Sequence, residues 1–166
     1  MAIKDAFIAE LKHETSLTRK MLERVPIDHK DWKPHEKSMS LGTLATHIAE
    51  TLKWISAIRH IDDFDFIRDY DFKQLSATSQ EELLQLLQTN LDNAVTDLSA
   101  MSDDDFTKTW TVRRGEQVMY QLSKKVAVRG WGFSHQIHHR GQLSVYLRLL
   151  GAPVPGMYGP SADENM

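Results

Sequence analysis

Apolar residues return at helical spacing in four separate stretches of this 166-residue chain. Together they leave little room for a fold not built from helices. The first stretch runs from about Lys4 to Val25: Ile3, Phe7, Leu11, Leu22 and Val25 share a stripe, and Pro26 stops the pattern. The second begins near Leu41 with Ser40 as its N-cap and runs to about Arg59, with Leu44, Ile48, Leu52 and Ile55 on its apolar side. The third opens on a capping box, Ser79-Gln-Glu-Glu82. Leu83, Leu87, Leu91, Ala94, Leu98 and Met101 follow, and Ser102 to Asp105 ends it. The fourth is expected from near Ser123 to Leu150, with Gly151 as a C-cap and Pro153 and Pro155 beyond. Gly130 and Gly132 inside it mark either weakness or a close backbone approach.

Two connections are long. Residues 61–78 carry five acids and four aromatics, and residues 106–121 alternate in a way that suits a short hairpin around Arg114-Gly115. Even so, the pattern as a whole predicts an all-α fold. It reads as a single domain over residues 1–166, a four-helix bundle with long crossover connections.

Composition excludes several roles. A net charge of −3 gives no basic face for nucleic acid. There is no cysteine, so disulfides and thiolate ligands are ruled out, and a thiol used in chemistry must come from outside the chain. The start Met-Ala-Ile-Lys-Asp-Ala-Phe lacks the features of a signal peptide, and no long apolar run suits a membrane span. A cytoplasmic protein without a membrane partner is the expectation.

The chemistry concentrates in histidines. His135 and His139 lie four residues apart in Ser134-His-Gln-Ile-His-His-Arg-Gly-Gln142, so a helix stacks both imidazoles on one face. His47 lies upstream in Leu44-Ala-Thr-His-Ile-Ala-Glu50. A third imidazole from a packed neighbour would complete three nitrogen ligands, and three protein ligands with an open position is the pattern of a catalytic metal site. Trp131, His135, His139, Gln142 and Tyr146 step along one stripe of the last helix, and His47, Glu50 and Trp54 along one stripe of the second. The two stripes could line one pocket. Glu50 and Gln142 are the nearest candidates to orient a ligand ring, and Glu50 could instead serve as a general base.

The other histidines read differently. His138 points about 100° away from His139 and suits the surface. His13, His29, His35 and His60 are expected in solvent. Glu10-Leu-Lys-His13 has the Glu-x-x-His form of di-iron bundles, but no second copy occurs. Trp54 and Trp131 would also serve as plain core aromatics.

The motifs Leu44-Ala-Thr-His47-Ile-Ala-Glu50 and His135-Gln-Ile-His-His139-Arg-Gly-Gln142 resemble those of the DinB-like (YfiT-like) metalloprotein family. The ending Gly151-Ala-Pro-Val-Pro-Gly-Met-Tyr158-Gly-Pro-Ser-Ala-Asp163-Glu is similar to that family's tail. The resemblance implies a helical bundle, often a homodimer, and a divalent metal held by His47, His135 and His139. Zinc or nickel would suit this set, and iron also accepts imidazole. Superfamily members with assigned activities are thiol-dependent. The resemblance therefore implies a thiol S-transferase acting on small electrophiles, with a low-molecular-weight thiol as co-substrate and its thiolate, bound to the metal, as nucleophile. The alternatives are a hydrolase that activates water and a non-catalytic metal-binding stress-response protein.

Overall fold

The computed structural model describes residues 2–71 and 75–164. The four expected helical stretches are present, two of them interrupted. The first is α1 (Ile3–Leu22), and Val25 stays buried just beyond its end. The second is split into α2 (Leu41–Glu50) and α3 (Lys53–His60). The third is α4 (Gln80–Ser99). The fourth is α6 (Lys124–Ala127), a π-helical segment Val128–Ser134, and α7 (His135–Leu149).

Serine starts three of these pieces as the sequence indicates. Ser40, Ser79 and Ser123 each accept the backbone N–H three residues on, satisfying donors that a helix start leaves open. At Ser79 the Glu82 carboxylate turns chiefly to the amide and hydroxyl of Thr78, with the Ser79 amide a weaker partner. Gly151 ends α7 at φ 70°, and the Ala152 amide reaches back to the Leu147 carbonyl. Ser102 does not end the third helix. It caps a new short one, α5 (Asp103–Thr107), with Asp105 returning the bond to the Ser102 amide.

The fold is not all-α. It is mostly helical with a small three-stranded sheet in the order β1-β2-β3. The strands are β1 (Asp63–Asp65), β2 (Thr109–Arg114) and β3 (Gln117–Ser123). The hairpin expected near Gly115 joins β2 and β3 antiparallel, through a two-residue turn with Gly115 at φ 61°. A bulge falls between Val112 and Arg113. The unexpected strand is β1, which pairs parallel to β2 with Phe64 opposite Val112. It comes from the acidic connection after α3, of which Phe72 lies outside the described residues.

One hydrophobic cluster joins helices and sheet. Helix α1 packs along α4, α2 and α3 pack on α4, and α7 lies against α2 and α1. The π segment lies on α3. There Gly132 permits the close approach, since a Cβ at that position would come within 3.0 Å of Ile55. Gly130 has open space around it. The sheet contributes Phe64, Trp110 and Val112 to the core, and Trp110 donates its indole N–H to the Ile61 carbonyl at 2.9 Å. Among the described residues no helix is long and apolar enough to cross a membrane.

Candidate metal centre

Helices α2 and α7 lie side by side and bring His47, His135 and His139 together. One ligand nitrogen from each imidazole lies within 4.8 Å of the other two. The Nε2 atoms of His47 and His135 are 3.2 Å apart. The ring centroids are separated by 5.1, 4.6 and 4.7 Å.

All three rings are half-buried, and each is pushed towards its neutral form. Burial lowers the pKa of His47, helped by His139 and opposed by Glu50. Burial is again the main cause at His135, with His139 and His47 adding to it, and takes that ring down to about 4. His139 is lowered by burial against the opposing pull of Gln142. A neutral imidazole with a free lone pair is the form that binds a metal.

The orienting partners differ from ring to ring. The Gln142 side-chain oxygen accepts from His139 Nδ1 at 2.7 Å, which leaves Nε2 of His139 as the free acceptor. His135 Nδ1 is buried and makes no hydrogen bond of ordinary geometry, although the backbone of Trp131 beside it favours a proton on the ring. The π segment sets this relationship. The His135 amide bonds the Gly130 carbonyl five residues back, where an α-helix would use that of Trp131. Glu50 acts on His47 through its charge and not through a hydrogen bond to the ring. Its carboxylate pairs with Lys53 at 2.6 Å, and it lines a cavity next to His47.

That cavity, about 340 Å³ in volume, is walled by His47, Glu50, Trp54, Phe64, Tyr70 and Leu75, among others. Trp54 is only 7% exposed and stacks on Tyr70 with an interplanar angle of 7°. Trp131 packs on Trp54 at 4.7 Å and reaches towards His135. Trp131 and His135 also border an open, largely apolar groove with Tyr120, Val126 and His138. Tyr146 sits elsewhere. Its hydroxyl donates to the Met39 carbonyl and its ring meets Trp32 edge-on, so it braces the connector before α2 rather than the cavity. His138 is exposed, as are His13, His29, His35 and His60.

A buried polar chain beneath the histidines was missed by sequence reasoning. The core-facing stripe of α7 is Gln136, Arg140, Leu143 and Leu147, one position on from the histidine stripe. Arg140, 3% exposed, donates to the Glu14 carboxylate at 2.7 Å, to the Glu14 carbonyl and to the Thr18 hydroxyl. Tyr158 of the tail joins the same carboxylate. Stepping back from Leu143 by three residues reaches Arg140, and by four more Gln136, so the apolar stripe itself pointed to both as buried.

The match to known proteins covers nearly the whole chain, since the model of the DinB family aligns with residues 1–165. The chain belongs to the DinB family. Relatives include YrdA of Bacillus subtilis strain 168, 26% identical over 166 residues and covering 96% of this chain and 90% of that one. YjoA of the same organism is 22% identical over 153 residues, 91% of this chain and 93% of the other. Two crystal structures of DinB-like proteins share the fold. One, from Bacillus cereus ATCC 10987, has a TM-score of 0.71 at 24% identity over 95% of this chain and 98% of that one. The other, YjoA, has a TM-score of 0.69 at 20% identity over 90% and 96%. The fold of this chain as a whole is thus DinB-like.

The depressed histidines carry a pH consequence. Unfolded imidazoles titrate near 6.5, so the unfolded chain takes up protons first as pH falls below that value. Metal-free protein is therefore expected to lose stability from about pH 6.5 downwards, until the folded His135, lowered to about 4 by burial, takes up its own proton. Melting in chelator at about pH 7.5 and pH 5 should show wild type losing more stability than His135→Gln. A stability gap between the two that does not change with pH would contradict this origin.

Proposed function

We propose that this DinB-family chain is a divalent-metal-dependent enzyme in which His47, His135 and His139 hold the ion. Zinc or nickel is the expected ion, and iron also fits. The observation that carries the reading is the 3.2 Å between the His47 and His135 Nε2 atoms. Two imidazoles on one tetrahedral ion, each at about 2.0–2.1 Å, place their nitrogens roughly 3.3 Å apart. Three neutral ligands leave the ion's charge undiluted. When bound, it supplies an open position that lowers the pKa of an external thiol.

The chain's own residues supply the rest. Gln142 fixes the ring of His139. Trp54, Phe64 and Tyr70 form an apolar wall that excludes water and receives a small electrophile next to His47. Glu50, held by Lys53 at the mouth of the same cavity, is placed to take a proton from an incoming thiol. With no cysteine in the chain, that thiol is a small co-substrate. The reaction we favour joins the intact thiol, through its sulfur, to the electrophilic carbon: an S–C bond forms, the thiol proton goes to Glu50, and a group displaced from that carbon leaves with its bonding pair. A homodimer is part of the proposal, supported by the exposed apolar side chains Val118, Met119 and Tyr120 on β3.

Metal analysis of tag-free protein prepared without chelator tests the reading, with light scattering on the same sample for the dimer. About one equivalent of divalent metal per chain is expected. Turnover of electrophiles only when a thiol is added would fix the transferase assignment, and turnover in water alone would favour the hydrolase. Protein that carries no metal, and takes up neither zinc nor nickel on addition, would overturn the proposal.

A further inference from the structure

Helix α2 stops at Glu50, three residues after His47, although neither proline nor glycine is present there. A helix that ends leaves its last carbonyls without amide partners, and in a buried position these need other donors. Side chains from two other helices provide them. Asn90 of α4, 5% exposed, donates its amide to the Ala49 carbonyl at 2.9 Å. Gln136 of α7, 1% exposed, reaches the Ile48 carbonyl at 3.5 Å, and Thr51 donates to the same oxygen at 2.8 Å. Gln136 is itself held from behind: its oxygen accepts from the Thr18 hydroxyl at 3.2 Å, and that hydroxyl in turn accepts from Arg140 at 3.1 Å.

The placement of these bonds is what matters. Ile48 follows His47 in the chain, and Gln136 follows His135. One side-chain amide therefore ties the backbone next to one imidazole to the backbone next to another, and Asn90 holds the same helix end from α4. We propose that Gln136 and Asn90 are positioning residues that set the separation of His47 from His135 and so tune metal affinity, an inference that rests on the metal reading of the histidine cluster. Neither residue belongs to the three-histidine set or lines the cavity beside His47. Their effect passes through the end of α2.

The test compares Gln136→Leu and Asn90→Leu with wild type and with Leu98→Ala, a core truncation in α4 that is fully buried and plays no part in this contact. Zinc affinity is measured by competition with a chromogenic chelator. The cobalt-loaded absorption spectrum reports ligand geometry, and melting of the metal-free protein reports stability. Each positioning variant should bind zinc about 10-fold more weakly and shift the cobalt spectrum, a loss at the lower end of that for a direct partner of a ligand ring because it acts through the backbone. Leu98→Ala should melt lower yet bind zinc as wild type does. Unchanged affinity and spectrum in both positioning variants would overturn the inference, as would an equal loss of affinity in Leu98→Ala. Wild-type protein that binds no zinc would overturn the metal reading itself, and this inference with it.

Discussion

His139→Ala is expected to strip the protein of its divalent metal, from about one equivalent to a residue too small to measure. Losing even an outer partner of a ligand costs about 10- to 100-fold in affinity, so losing one of three direct ligands costs more than about a hundredfold. His47→Ala and His135→Ala should match it, since the three nitrogens form one set. His138→Ala is the informative control. It sits next to His139 in the chain, and its ring centroid lies 4.9 Å from that of His139, yet it faces solvent. If proximity alone mattered it would also lose metal; on the present reading it keeps the full complement. Normal metal content in all three alanine variants would remove the cluster from consideration as a binding site.

The largest effect on stability should come from Arg140→Met. Arg140 is 3% exposed and its partner Glu14 8%, so removing the guanidinium leaves a carboxylate in the interior without its cation. Breaking a buried pair in this way costs about 3–5 kcal/mol. For a chain of this size that lowers the melting temperature by roughly 10 °C. Replacing both members with apolar residues of similar volume should recover most of the loss, because the uncompensated charge is gone. Tyr158→Phe removes only the hydroxyl that donates to Glu14, and should cost about 1 kcal/mol. Denaturant melts of the four proteins decide the matter: a loss below about 1 kcal/mol for Arg140→Met would show that water already compensates Glu14.

What could be read from the sequence was whatever short-range rules control. The serine caps at positions 40, 79 and 123, the glycine stop at 151 and the four-residue step from His135 to His139 each depend on neighbours a turn away. The parts that escaped depend on distant contacts. Strand β1 is three residues with two aspartates, a poor strand by propensity, and it exists because β2 offers it a partner. The break after Glu50 is hidden because Leu44, Ile48, Leu52 and Ile55 carry the apolar spacing straight through it. Gln136 and Arg140 look like surface residues by type; the stripe they share with Leu143 and Leu147 marks them as buried, but their partners on α1 and α2 are distant in sequence. Tyr146 shared a stripe with the histidines but lies too far along α7 to share their surroundings, and it meets Trp32 instead.

The π segment before His135 gives the last helix two working faces. A π turn is equivalent to one extra residue in an α-helix, so it shifts the phase of everything upstream by about 100°. Upstream, the segment lies on α3; downstream, α7 lies on α2. Since α2 and α3 are themselves separated by a break, the two antiparallel partners change phase opposite one another, and the histidines occupy that joint. A chain shortened by one residue between Val128 and Ser134 could regain a uniform helix, but only by turning one of its two faces away. Length in this segment therefore matters more than residue identity at its exposed positions: substitutions at Gly130 or Ser134 should be tolerated where single-residue deletions are not, whereas Gly132 has no room for a side chain beside Ile55.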